Sequence, residues 1–191
     1  MLKRFFTVTV FILGFLFIFS AAAIAMTPAS ELRATPPHWQ KSPINVYIPK
    51  DPYAESLKRA FSKWQSLSSN KIKFNYVAKG PADIDVVFTE KESGSESPIA
   101  SYNIQTSGNK ITKAEIRIAT KGKDIKKYSR NYIYTTMLHE VGHALGMPHN
   151  DRKKSSIMYS QITETQQILN IDTVKFYHVN GWSWKDRRIN H

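Results

Sequence analysis

Apolar side chains recur at two different spacings along the chain, and each change of spacing marks a change of element. Ile44, Val46 and Ile48 alternate with Asn45, Tyr47 and Pro49, the period-2 pattern of a short half-buried strand. After Asp51-Pro52, the residues Leu57, Ala60, Phe61, Trp64 and Leu67 follow at three- and four-residue steps. That pattern predicts a helix from Ala54 to Ser69 with one buried face. Ile72–Ala78 and Ile84–Thr89 read as strands on either side of the Gly80-Pro81 turn. Ile99–Gln105 and Ala114–Ala119 read as two more, joined through Ser107-Gly108-Asn109-Lys110. Glu90 to Pro98 is a polar loop, and Lys121 to Arg130 is a basic connector. A helix is predicted from Asn131 to Leu145 and a last one from Thr163 to His178, where Thr163 and Gln166 have capping-box spacing. There is no internal repeat. The element order describes an α+β domain, an α/β-type sandwich built on one sheet.

The first 25 residues follow neither period. Lys3 and Arg4 precede an almost purely apolar run from Phe5 to Phe19, and Ala23-Ile24-Ala25 is a small-x-small site. This is the pattern of a cleaved secretory signal peptide, which makes the mature protein extracellular and beginning at Met26. The alternative is an uncleaved N-terminal membrane anchor, since the apolar stretch extends to Met26. Residues 26–42, with Pro28, Pro36 and Pro37, read as an extended arm anchored by Trp39, and residues 43–191 as the folded domain.

Composition narrows the chemistry. Of 191 residues, 41% are hydrophobic and 22% charged, an ordinary globular balance. There is no cysteine, which excludes disulfides, Cys-ligated zinc, iron–sulfur clusters and thiol catalysis. The net charge is +12.

One stretch stands apart: His139-Glu140-Val141-Gly142-His143-Ala144-Leu145-Gly146-Met147-Pro148-His149, followed by Ser156-Ile157-Met158-Tyr159. Four residues apart on a helix, His139 and His143 lie about 40° apart around the axis and one turn along it, so both imidazoles reach one ion. Glu140 points about 60° from His143, to the same side but short of the ion. Gly146 suits a left-handed helix end, after which the chain reverses and brings up His149. Three neutral imidazoles with one open position form the tetrahedral site of catalytic zinc. Ile133, Met137, Val141 and Leu145 make a stripe on the other side of the helix, with Met137 and Val141 roughly 200° from His139 and His143. With this chain's frequencies of His, Glu and Gly, the extended pattern arises by chance about once in 10⁵. His38, His178 and His191 read as surface or terminal residues, and Phe61, Trp64, Phe74 and Phe88 as core.

His139, Glu140, His143, Gly146 and His149 match the His-Glu-x-x-His-x-x-Gly-x-x-His motif of the metzincin zinc endopeptidases, and Met158 resembles their Met-turn. Within that clan the chain most resembles a matrixin, of the matrix metalloproteinase type, in an exported prokaryotic form. Phe61-Ser62-Lys63-Trp64 and Ala82-Asp83-Ile84-Asp85 add to the likeness, which covers about residues 39–180. The resemblance implies a zincin-like domain: a five-stranded twisted mixed sheet, two helices including the active-site helix, a Met-turn, and a C-terminal helix. It also implies one catalytic Zn²⁺ on His139, His143 and His149, with Glu140 as general base, Met158 as a hydrophobic base under the histidines, and Ala100 on the rim of the cleft. The extended substrate would add to the edge of the sheet along Ile99–Gln105.

Departures from the family pattern carry expectations of their own. No cysteine is present to close the site from a propeptide, so activity on export is expected. No histidine lies between His38 and His139, so a second, structural zinc has no His ligands, and calcium has no support in the sequence. The family's Asp pair in the last helix, which fixes the Met-turn, matches Gln166-Gln167, which supply no carboxylates. The interval from Tyr159 to Thr163 leaves little chain for the wall of the specificity pocket.

The expected activity is therefore a metalloendopeptidase hydrolysing peptide bonds in protein or peptide substrates, acting as a monomer. Two alternatives share the observations. One is an exported cationic protein holding anionic cell-surface polymer through Lys121, Lys123, Lys126, Lys127, Arg130, Arg152, Lys153 and Lys154. The other is a zinc amidase acting on cell-wall peptides. No nucleic-acid motif is present, and export argues against such a partner.

Overall fold

The computed structural model describes residues 36–90, 99–122 and 124–182. Residues 1–25, the arm as far as residue 35, and most of the 90–98 loop lie outside them. Strands β1 (Ile44–Tyr47), β2 (Phe74–Val77), β3 (Ile84–Glu90), β4 (Ala100–Ser107) and β5 (Lys110–Lys121) form one sheet in the order β2-β1-β3-β5-β4. The neighbours β2–β1, β1–β3 and β3–β5 are parallel, whereas β4 returns antiparallel to β5 and forms the sheet edge. Helices α1 (Ala54–Leu67), α2 (Arg130–Ala144) and α3 (Asn170–Val179) complete the domain, with a short 3-10 turn at Asp124–Lys127 before α2. This is the α+β, five-stranded mixed-sheet architecture that the resemblance implied.

Period-2 alternation decides which face of the sheet is covered. Ile44 and Val46, Ile84 and Val86, and Ala114, Ile116 and Ile118 are buried, while their strand neighbours are less so. The helices cover that face, α2 lying against α1, β4 and β5. From α1, Leu57, Ala60, Phe61 and Trp64 enter the core. Burying about 150–250 Å² per aromatic ring makes Phe61 and Trp64 the heaviest contributors there. The Trp64 indole N–H donates to the Leu138 carbonyl of α2 at 2.9 Å, so the polar tip of the largest core side chain has a partner. Phe74 and Phe88 pack partly buried on the same cluster.

Ahead of β1, His38 pairs with Lys110 at the start of β5. Trp39 is buried and donates its indole N–H to the Ala144 carbonyl at 2.8 Å. The end of the arm is thereby tied to the last turn of α2.

The last helix begins at Asn170, not at Thr163. The Thr163 N–H does donate to Gln166 Oε1 at 3.1 Å, as a capping box would. Gln166 Nε2, however, donates to the carbonyls of Gln161 at 2.7 Å and Lys154 at 3.1 Å, which folds the segment into a turn. Backbone bonds from Ile157 N to Gln167 O (2.9 Å) and from Gln167 N to Ser155 O (3.2 Å) then hold residue 167 extended against the preceding loop. A residue held in that way cannot enter a helix. The helix starts where Asp172 accepts from the Leu169 N–H at 2.9 Å.

Candidate metal centre

Helix α2 opens on Ser129, whose Oγ accepts from the Tyr132 N–H at 3.0 Å. Over its last ten residues, from Thr135 to Ala144, every residue is buried. The side opposite the Ile133, Met137 and Val141 stripe is thus enclosed too: His139 is 3% and His143 2% exposed. At the helix end Gly146 takes φ +89°, and a Cβ there would run into the Pro37 carbonyl oxygen. The left-handed conformation and the close approach both call for glycine. The chain then turns and brings His149 over the helix, where the Asn150 N–H donates to the Met158 carbonyl at 2.7 Å.

The three histidines meet. Their ligand nitrogens all lie within 4.8 Å of one another, close enough to hold one metal ion between them. The His149 ring centroid is 5.3 Å from that of His139 and 4.6 Å from that of His143. Backbone carbonyls orient the two helical rings. His139 Nδ1 lies 2.7 Å from the Ile157 carbonyl, and His143 Nδ1 2.7 Å from the Met147 carbonyl.

These contacts settle the tautomers. A carbonyl only accepts, so Nδ1 of each ring carries the hydrogen and Nε2 of each neutral ring carries a lone pair. Burial holds both rings neutral, His139 with a pKa of about 4 and His143 of about 3. Yet the two Nε2 atoms approach to 2.8 Å. Two lone pairs at that distance repel, and neither ring has a hydrogen to share. The donor set therefore asks for a cation, and neutral imidazole nitrogens are ligands that zinc takes.

Glu140 sits on the same helix, 5% exposed, with Oε2 buried and without a hydrogen-bond partner among the described residues. Burial pushes its carboxyl up to about 7, and a cation among the histidines acts in the opposite direction. Met158 is fully buried. A Cβ on Gly142 would stand 2.5 Å from the Met158 sulfur and 2.9 Å from Trp64 Cζ2. Gly142 is thus a point where α1, α2 and the Met-turn meet closely.

The structure corrects the expectation that Gln166-Gln167 stand in place of the Met-turn clamp. The clamp is Asp172, on α3 and fully buried. One of its oxygens accepts from Ser156 Oγ at 2.5 Å and Asn150 Nδ2 at 3.2 Å, while Ser156 Oγ in turn accepts from the Met158 N–H at 3.0 Å. The later start of α3 also lengthens the segment after the Met-turn, which runs to Leu169. With Thr135 and Leu138 of α2, residues Gln166, Gln167 and Ile168 line a cavity of about 390 Å³.

Other neighbours of the site went unread in the sequence. Tyr102 of β4 stacks on the His143 ring, and Lys175 of α3 donates to the His149 carbonyl at 2.9 Å. Alternation along β4 marks Tyr102 as facing the helices, but nothing local tells which helix residue it meets.

No curated protein matches the chain. The model of the family described as Matrixin does match it, over residues 38–178, and with the His139–His143–His149 trio assembled on the fold described above the chain belongs to the matrixin family of metallopeptidases.

Proposed function

We propose that this matrixin is a zinc-dependent endopeptidase in which His139, His143 and His149 hold the ion and Glu140 is the general base. The observation that carries the reading is the pair of opposed Nε2 lone pairs 2.8 Å apart beside a buried carboxylate oxygen without a partner among the described residues. Zinc, when bound, supplies a Lewis acid that polarises the scissile carbonyl and makes water acidic enough to attack it near neutral pH.

The chain's own residues do the rest. Glu140 takes a proton from the attacking water, and the water oxygen bonds to the carbonyl carbon. Glu140 then delivers that proton to the amine nitrogen as the C–N bond breaks, so that one water is added across the peptide bond. Enclosure of the carboxylate keeps bulk water from competing for the oxygen that has no partner among the described residues. The carbonyls of Ile157 and Met147 keep the helical imidazoles in the tautomer that leaves Nε2 free. Strand β4, at the sheet edge, offers its outer main-chain groups to an extended peptide, which supports substrate binding by strand addition.

Export is part of the same proposal: residues 1–25 act as a signal peptide, and a mature net charge of about +10 holds the enzyme near anionic surfaces. The protein is expected outside the cell with an N-terminal sequence starting at Met26, and cell-bound protein with an intact Met1 would overturn cleavage and export.

The central test is hydrolysis of an unfolded general protein substrate. Chelator-sensitive cleavage is expected, lowered about 10²-fold or more in Glu140→Ala while zinc remains bound. A native protein that binds zinc and cleaves no peptide bond would make the endopeptidase reading wrong.

A further inference from the structure

Four described contacts orient the His143 ring, and three of them come from the helix and the turn after it. Nδ1 faces the Met147 carbonyl at 2.7 Å, and the rings of His139 and His149 meet it edge-on, with centroids 4.4 Å apart at 84° and 4.6 Å apart at 80°. The fourth contact comes from another layer of the fold. The phenol ring of Tyr102 lies nearly parallel on the face of the His143 imidazole, with centroids 4.1 Å apart and planes at 14°.

The sheet puts Tyr102 there. It sits opposite Ile116 in the antiparallel β4–β5 register, between Ala100 opposite Ile118 and Ile104 opposite Ala114. Directly opposed residues share a face. Ala114, Ile116 and Ile118 are all buried, so Ala100, Tyr102 and Ile104 face the helices. Because β4 is the edge strand, Tyr102 still has 41% of its surface in solvent. It caps the imidazole from the open side of the sheet, and its hydroxyl is close enough to Glu140 to interact with it electrostatically.

From this geometry we infer that Tyr102 is a positioning residue for the metal centre, its ring clamping His143 in the orientation that presents Nε2. The inference rests on the metal-site reading above. An aromatic face is the negative end of the ring quadrupole, and an imidazole becomes more positive when its nitrogen binds a cation. The stack therefore strengthens when the ion binds, which makes it a differential contribution to affinity and not packing alone. His139 has no such partner: its Nδ1 is held by the Ile157 carbonyl, and its ring meets only the other two site histidines edge-on or tilted in the described ring contacts. The clamp also links the strand proposed to receive substrate with a proposed ligand of the ion.

The test is zinc affinity of the full protein, measured by competition with a chromophoric chelator, alongside the melting temperature of each zinc-free form. Tyr102→Phe retains the ring and is expected to bind zinc within twofold of the native protein. Tyr102→Leu and Tyr102→Ala, which remove the π face, are expected to bind roughly three- to tenfold more weakly, with zinc-free melting temperatures close to native because the site is half exposed. Native affinity in Tyr102→Leu or Tyr102→Ala would overturn the inference. So would a loss in Tyr102→Phe as large as in Tyr102→Ala, which would assign the effect to the hydroxyl. Peptide hydrolysis at saturating zinc, run in parallel, separates the two readings. A native protein that binds zinc without cleaving peptides defeats the endopeptidase proposal and leaves the clamp to stand or fall on the affinities.

Discussion

Helices α1 and α2 have 14 and 15 residues and lie against each other, yet they are buried in opposite ways. In α1, Leu57, Ala60, Phe61 and Trp64 enter the core, while Glu55, Arg59, Ser62, Lys63 and Ser66 face water. In α2, the stretch from Thr135 to Ala144 is covered on every side, including two histidines and a glutamate. A one-faced helix needs only the right spacing of apolar residues. A helix enclosed all round that carries polar groups needs partners for them from elsewhere in the chain, because an unpaired buried polar group costs about 1–3 kcal/mol. Those partners are the carbonyls of Ile157 and Met147, the Tyr102 ring and the proposed ion. The difference teaches that the stability of α1 is local and one-sided, whereas α2 depends on the loop after it and on α3.

The comparison can be broken most severely at the clamp beneath α2. Asp172→Ala removes the acceptor of Ser156, Asn150 and the Leu169 N–H and is expected to cost about 3 kcal/mol, since hydrogen bonds to a charged group are worth about 1.5–3 each and the stranded donors stay buried. Glu164→Ala, on the exposed turn before α3, should stay within about 0.5 kcal/mol. Urea denaturation of both variants measures the contrast. Equal effects would mean that Asp172 holds nothing together.

A smaller effect is expected where α1 and α2 touch. Gly142→Ala places a methyl group 2.5 Å from the Met158 sulfur and 2.9 Å from Trp64, an overpacking that costs about 1–3 kcal/mol. On the outer face of α1, Ser66→Ala loses one exposed bond to the Ser62 carbonyl and should change stability by less than about 0.5 kcal/mol. The denaturation midpoints check both, and a Gly142→Ala protein as stable as the native one would show that the helices have room to part.

A further contrast is one of pH. His139 and His143 are buried neutral, with folded pKa values of about 4 and 3, below the usual 6.5. The unfolded chain therefore takes up protons that the folded one refuses. In the zinc-free protein their contribution to stability is complete above about pH 6.5 and is lost as pH falls toward the folded values. The melting temperature of chelator-treated protein should decline between pH 7 and 5, and the decline should be shallower in the double variant His139→Gln, His143→Gln. An unchanged slope would place the acid sensitivity outside α2.

Much of this was legible along the chain, and the exceptions share a cause. The alternation in β1, β3 and β5 and the stripe of α1 read correctly because each residue's face follows from its own strand or helix period. The site motif read equally well, since His139, Glu140 and His143 share one helix and Gly146 has to end it. The start of the last helix was misread at Thr163. There the local capping pair does form, but Gln166 and Gln167 are captured by Lys154, Ser155 and Ile157 from the preceding loop. Asp172 and Tyr102 gave no local signal of the residues they act on. One acts on Ser156 and Asn150 across the Met-turn, the other on His143 across the gap between the sheet edge and α2.

The sequence by itself determined which residues form the candidate metal centre, because the spacing of His139 and His143 is a property of the helix that bears them. Only the tertiary structure decided what orients those residues. The orienting groups are backbone carbonyls, which have no sequence signature, and side chains brought from β4 and α3 by sheet register and loop path. Contacts of that kind are set by the closing of the whole chain around α2.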